Sequence, residues 1–259
     1  MKLRLKAPAK INLGLRIRKR LKNGFHEVET IYTQINLFDL IEIEEINRNL
    51  INFPDKNNLV YRAAKLVKDE LRIKLGIKIK LEKKIPMGSG LGGGSSDAAT
   101  VLKGLNQLWQ LKLSQQELIN LAKKLGSDVA YFIKAGTQLE IQGGEKAGRF
   151  IDMGRLVKGW LVVCWPEIKI TSQEAYQNIE YDKIGKNEVL WFNDFEIWTF
   201  KRFPEIKKIK DLMIKNGAEH SLMSGKGSAV WGVYNKRKTA AAGFKKLKQR
   251  YKNSWLLEV

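Results

Sequence analysis

The chain has 259 residues, 44% of them hydrophobic, which is enough to bury one large core or two modest ones and too apolar for a disordered chain. Its 47 Lys+Arg against 27 Asp+Glu leave a formal net charge of +20, which attracts polyanions: nucleic acid, anionic membrane or phosphorylated small molecules. The longest strongly apolar run, Trp160–Trp165, is too short to span a bilayer, and a single cysteine (Cys164) with two histidines argues against disulfides and against zinc or iron–sulfur sites.

In chain order, alternation predicts a strand at Lys2–Lys6 and, after Pro8, a second with Ile11, Leu13, Leu15 and Ile17 on one face. Lys10, Asn12 and Gly14 then share the opposite face. More strand is expected over Thr30–Ile46, broken near Phe38-Asp39. A helical pattern covers 58–75, and Ile77–Leu81 alternates against lysines as a strand. Ala98, Val101, Leu102, Leu105 and Leu108 recur at helical spacing, and Ser114-Gln-Gln-Glu117 is a capping-box pattern opening a helix that stops near Gly126. The second half reads as a strand at 160–165, a helix at 204–215, a glycine turn at 224–227, a strand at Ala229–Tyr234, a basic helix and a last strand near Trp255–Val259. Strands and helices alternate without βαβ repetition, so an α+β protein of two lobes is expected, divided near residue 150 into 1–150 and 151–259. The basic segments 2–22, 201–215 and 236–252 are interleaved with apolar positions, as decorated secondary structure is. No apolar stretch of the signal-peptide kind follows the first lysines, and a cytoplasmic protein is the simplest reading.

The chemistry concentrates at residues 86–97, Pro-Met-Gly-Ser-Gly-Leu-Gly-Gly-Gly-Ser-Ser-Asp, between a strand and an amphipathic helix. Five glycines let backbone N–H groups approach an anion, and the helix that follows aims the positive end of its dipole at the loop. No lysine follows the glycines, so this is not a Walker A loop. A G-x-G-x-x-G is present at Gly88, Gly90 and Gly93, but a helix begins where a dinucleotide site needs a strand ending in an acidic residue. The loop alone says that an anion binds.

The segment resembles the second motif of the GHMP kinases. Within that superfamily, Ala7-Pro-Ala-Lys-Ile-Asn-Leu13, Gly24-Phe-His-Glu27, Asn58-Leu-Val-Tyr61, the GLGGGSSDAA run at 90–99, Gly126-Ser-Asp-Val129 and Leu222-Met-Ser-Gly-Lys-Gly-Ser228 follow the order of the diphosphocytidyl-methylerythritol kinase family. The matches span residues 7 to about 234. The resemblance implies a first lobe that is ribosomal-S5-domain-2-like and a second that is ferredoxin-like. It implies transfer of the γ-phosphoryl of ATP, with Mg2+, to the 2-hydroxyl of an acceptor carrying a cytidine diphosphate moiety. Lys10 and Asp128 are then the catalytic pair. ATP falls to Asn58 and to Pro86, Met87, Gly88, Ser89, Gly90, Leu91, Gly92, Gly93, Gly94, Ser95 and Ser96. Asn12, Phe25, His26 and Tyr176 would bind the acceptor, the last three at its base.

Departures are Phe25, where the family usually has tyrosine, Lys226, where it has serine or another small residue, and 143–146, which match only loosely. Tyr32 and Asp39 lie in family-like segments without assigned chemistry. Two other readings stay open: a GHMP kinase for another small alcohol, and a basic nucleic-acid-binding protein. Against the second, no RNA-recognition signature is present. The expected partner is the small-molecule substrate, with no specific nucleic acid and no membrane, and the expected assembly is a monomer or weak homodimer.

Overall fold

The computed structural model describes residues 1–22, 24, 26–143 and 148–259. Two long antiparallel strands, β1 (Lys2–Arg20) and β2 (His26–Ile46), form the spine of the first lobe. The other edge of β2 pairs with β4 (Gly76–Glu82) along one half and with β5 (Gln138–Gly143) along the other. The short β3 (Ile51–Asn52) and β6 (Arg149–Asp152) complete a six-stranded sheet. Four helices belong to this lobe: α1 (Leu59–Glu70), α2 (Gly93–Leu108), α3 (Gln115–Lys123) and α4 (Ser127–Lys134).

The structure corrects three local expectations. β1 runs unbroken through Pro8, because the strand pairs on only one side in this sheet and a missing N–H is tolerated at such an edge. β2 likewise continues past Phe38-Asp39; the irregularity is a register shift opposite Pro8/Ala9. α1 ends at Glu70, and Arg72 takes a left-handed φ of 52°, which no helix continues through.

The shift at Pro8/Ala9 has a functional effect. Before it, Leu3 and Leu5 pack with the helices while Lys2, Arg4 and Lys6 face outward. After it, Ala9, Ile11 and Leu13 pack against the second lobe, and Lys10 and Asn12 are buried at 3% and 2% exposure. A change of covered face turns the even-numbered residues from surface charges into site residues.

The second lobe is a four-stranded antiparallel sheet ordered β10-β7-β9-β8, made of β7 (Trp160–Cys164), β8 (His220–Met223), β9 (Val230–Tyr234) and β10 (Ser254–Glu258). Between β7 and β8 lie α5 (Ser172–Gln177), α6 (Phe195–Arg202) and α7 (Pro204–Lys215); α8 (Arg237–Arg250) joins β9 to β10. This is the ferredoxin-like βαββαβ order, and the two-lobed α+β expectation is borne out. The chain passes between the sheets at residues 153–159, so a division at 150 would cut β6. The sheets share one core in which Ile11, Leu13 and Ile31 meet Leu161, Val163 and Trp231. The fully buried Trp231 also donates its indole N–H to the Asn12 carbonyl at 3.0 Å, binding the lobes directly beneath Lys10.

Candidate active site

The glycine loop is held from two sides. The Lys10 amide of β1 donates to the Leu91 carbonyl at 3.0 Å, and the Ala229 amide of the second lobe donates to the Ser89 carbonyl at 2.9 Å. Ser224 Oγ donates to the Gly90 carbonyl at 2.9 Å. Two glycines are required by geometry. Gly90, at φ +83°, leaves its missing Cβ 2.2 Å from the Ser224 carbonyl oxygen, and Gly92, at φ +72°, caps α2 with a missing Cβ 3.0 Å from Lys10 Cγ and from the Phe132 ring.

Two cavities open on this framework, and both reach Ser95. The first, about 350 Å³, lies against the loop and is lined by Asn58 and by residues 86–95 except Leu91. Leu91 instead turns down into the inter-lobe core, and Ser96 is fully buried. Neither residue lines the cavity. The free N–H groups of the first turn of α2 give the cavity a positive wall. Asn58 caps α1, its side chain accepting from the Val60 amide at 2.9 Å.

The second cavity, about 250 Å³, holds Lys10, Asn12, Tyr176 and Asp128 together. The Lys10 ammonium donates to Asn12 Oδ1 at 2.6 Å and lies 5.3 Å from the centre of the Tyr32 ring, whose hydroxyl donates to Asp128 Oδ1 at 3.1 Å. Burial lowers the Lys10 pKa from the ordinary lysine value and Lys226 adds to this, while Asp128 and Glu140 pull the other way. Asp128 sits in the first turn of α4, where the helix dipole favours a carboxylate. Asn12 Nδ2 donates to Thr30 Oγ1 at 2.7 Å, and the Asn12 backbone amide donates to Ser224 Oγ at 3.3 Å. The Asn12 side-chain amide thus holds Lys10 in position while it also lines the cavity.

His26 stacks on Tyr176 with ring centres 4.8 Å apart and 20° between planes, and Nε2 lies 2.6 Å from the Tyr181 hydroxyl. Burial, aided by Arg20, lowers the His26 pKa. Tyr176 therefore bridges the second cavity to His26. Phe25 lies outside the described residues.

Sequence reasoning passed over several residues here. Tyr32 pairs with Asn12 across β1 and β2, so the hairpin register could have placed it beside Lys10. Lys83 spans Asp39 and Asp97, 2.7 Å from Asp97 Oδ2, while Asp39 Oδ1 accepts from the Ile85 amide at 2.8 Å, anchoring the start of the glycine loop. Burial raises the Asp97 pKa, opposed by Lys83. Asn193 Nδ2 donates to the carbonyls of Met223 and Gly225 at 2.8 Å, fixing the 224–228 turn; its sequence context carried no signal.

Comparison with known proteins gives the same picture. Residues 58–136 match the GHMP kinases N terminal domain and residues 181–253 the GHMP kinases C terminal domain. The chain is 39% identical to a 4-diphosphocytidyl-2-C-methyl-D-erythritol kinase from a Geobacillus species, covering 90% of this chain and 88% of the relative. It is 34% identical to the enzyme of that name from Clostridioides difficile, covering 98% and 94%. A crystal structure of 4-(cytidine 5'-diphospho)-2C-methyl-D-erythritol kinase superposes with a TM-score of 0.87 at 31% identity, covering 98% of each chain. A homoserine kinase from Cytophaga hutchinsonii, at 16% identity and a TM-score of 0.75, shares the fold.

Proposed function

We infer the reaction from the family: the chain belongs to the 4-diphosphocytidyl-2-C-methyl-D-erythritol kinases, within the GHMP kinases. It is a kinase that uses ATP to phosphorylate the 2-hydroxyl of 4-diphosphocytidyl-2-C-methyl-D-erythritol, a step of the non-mevalonate route to isoprenoid precursors. The observation that carries the assignment of roles is the pair of cavities meeting at Ser95, one walled by the glycine loop and the other holding Lys10 and Asp128.

ATP binds with its phosphates against the loop and the N-terminus of α2, its base on the Asn58 side. The acceptor enters the second cavity with its base toward Tyr176 and His26. Its hydroxyl oxygen attacks the γ-phosphorus, the bond to the β,γ-bridging oxygen breaks, ADP leaves, and the hydroxyl proton passes to Asp128. Lys10 faces the negative charge spread over the transferring group, and the buried Asn12–Thr30–Ser224 contacts hold the ammonium in place.

Magnesium, when bound, neutralises phosphate charge. Among the described residues no three His, Cys, Asp or Glu gather to cage a metal. The donors present fit an ion carried by the nucleotide, with the Ser95 hydroxyl and the Asp128 carboxylate as protein oxygens in reach of the shared region.

The test is acceptor-dependent ADP release, compared between the cytidine-bearing acceptor and mevalonate or homoserine. Turnover confined to the cytidine-bearing acceptor is expected; faster turnover of either other alcohol contradicts the assignment. His26→Ala should raise KM for that acceptor with little change in KM for ATP. An equal rise for both removes His26 from base recognition.

A further inference from the structure

The mechanism leaves one cation of the acceptor cavity unused. Lys226 belongs to the 224–228 turn, at a position where the family resemblance leads one to expect a small residue, yet its side chain is turned inward and lines the cavity with Lys10 and Asp128. Its ammonium donates to Ser172 Oγ at the start of α5 and lies 5.8 Å from the centre of the Tyr176 ring. Among the described residues no carboxylate lies within ion-pair distance of it. Burial lowers its pKa while Asp128 draws it the other way.

Lys226 and Lys10 share one cavity but touch different neighbours. Lys10 lies against the glycine loop, its Cγ beside Gly92. Lys226 lies over Tyr176, which itself stacks on His26. An acceptor whose base reaches Tyr176 and His26 and whose hydroxyl reaches Asp128 must lay its diphosphate bridge between them. A half-buried ammonium without a carboxylate partner there meets that dianion at little cost in competing pairs.

We propose that Lys226 is a specificity-determining residue of this chain that binds the diphosphate bridge of the acceptor. The proposal rests on the kinase reading above, and the geometry of the turn, Ser172 and Tyr176 carries it. Lys226 supplies an anchor that a small side chain at this position cannot.

The experiment measures binding of CDP and of cytidine by calorimetry, and KM for ATP and for the full acceptor, in the parent and in Lys226→Ser and Lys226→Arg. Loss of one charge-assisted contact should weaken CDP binding and raise the acceptor KM in Lys226→Ser by roughly 10- to 100-fold. Cytidine binding and the ATP KM should stay within about twofold, and Lys226→Arg should restore most of the CDP affinity. Unchanged CDP affinity in a folded Lys226→Ser enzyme overturns the proposal. So does a selective rise in the ATP KM, which moves Lys226 to the donor phosphates, or an equal loss of cytidine binding, which marks a general collapse of the cavity. A parent enzyme that fails to turn over the acceptor at all refutes the kinase assignment instead, so the two failures are distinct.

Discussion

Lys10, Asn12, Thr30, Tyr32 and Asp128 form one connected polar group at the bottom of a half-open cavity, and each member has a nameable job. Asn12 and Thr30 fix Lys10; Tyr32 fixes Asp128. Replacing the carboxylate while keeping its shape isolates the proton-accepting role. Asp128→Asn should lower kcat by roughly 10²- to 10⁴-fold, the range for a positioned acid–base group, with KM for ATP nearly unchanged. A variant within a few-fold of the parent in steady-state assays removes Asp128 from the chemistry. Alternation had already put Lys10 and Asn12 on one face, but it could not say that this face is buried. That follows from the register shift at Pro8/Ala9 and from α2 lying over the strand, both matters of tertiary packing.

Among the elements, the glycine loop and the 224–228 turn act as one unit although 134 residues separate Gly90 from Ser224. Gly90→Ala tests that coupling. Its Cβ would lie 2.2 Å from a backbone oxygen and its φ of +83° disfavours any side chain, so loop and turn must separate. The expected loss is roughly 1–3 kcal/mol in chemical denaturation together with a raised KM for ATP; a variant as stable as the parent with unaltered ATP affinity contradicts the coupling.

The loop, the capping box at Ser114, the strand at 160–164 and the helix at 204–215 were legible because their signals are local. β5 was not, because Gln138 and Glu140 occupy its buried face, where alternation leads one to expect apolar side chains. The 189–194 segment was not legible either. It covers the free edge of β1 through the Leu15–Phe192 and Trp191–Leu13 backbone bonds, contacts that no residue pattern announces. Gly14 is the clue in hindsight: its missing Cβ would strike the Val189 carbonyl at 1.6 Å.

For the whole molecule, the shared core and the pH response follow from what the two lobes bury together. Glu140 is completely buried, accepts from the Gly148 amide at 2.9 Å and faces Asp128, and its pKa is raised to about 7 by burial first, with Asp128 adding. The folded protein therefore binds a proton that the unfolded chain releases near the ordinary carboxylate value. The stability this contributes is complete below that value and disappears as pH rises through about 7. Glu140→Gln imitates the protonated form at every pH. Its melting temperature relative to the parent should rise between about pH 5 and pH 8, on the order of 2–3 kcal/mol in stability; a difference independent of pH refutes the role given to burial.

The net charge of +20 is spread over both lobes; ion pairs within a helix turn, such as Lys65 with Asp69 and Lys207 with Asp211, neutralise only a small part of the 47 Lys+Arg. An excess of this kind draws phosphorylated substrates toward the surface without specifying a polymer. In the proposed reaction, the cavity of Lys10 and Asp128 transfers the γ-phosphoryl of ATP to an acceptor carrying cytidine diphosphate. Phosphorus NMR of a reaction with 4-diphosphocytidyl-2-C-methyl-D-erythritol reads this directly. A new phosphomonoester resonance on the acceptor is expected, growing in step with ADP and absent without the acceptor. ADP formed with free phosphate and an unmodified acceptor would contradict it.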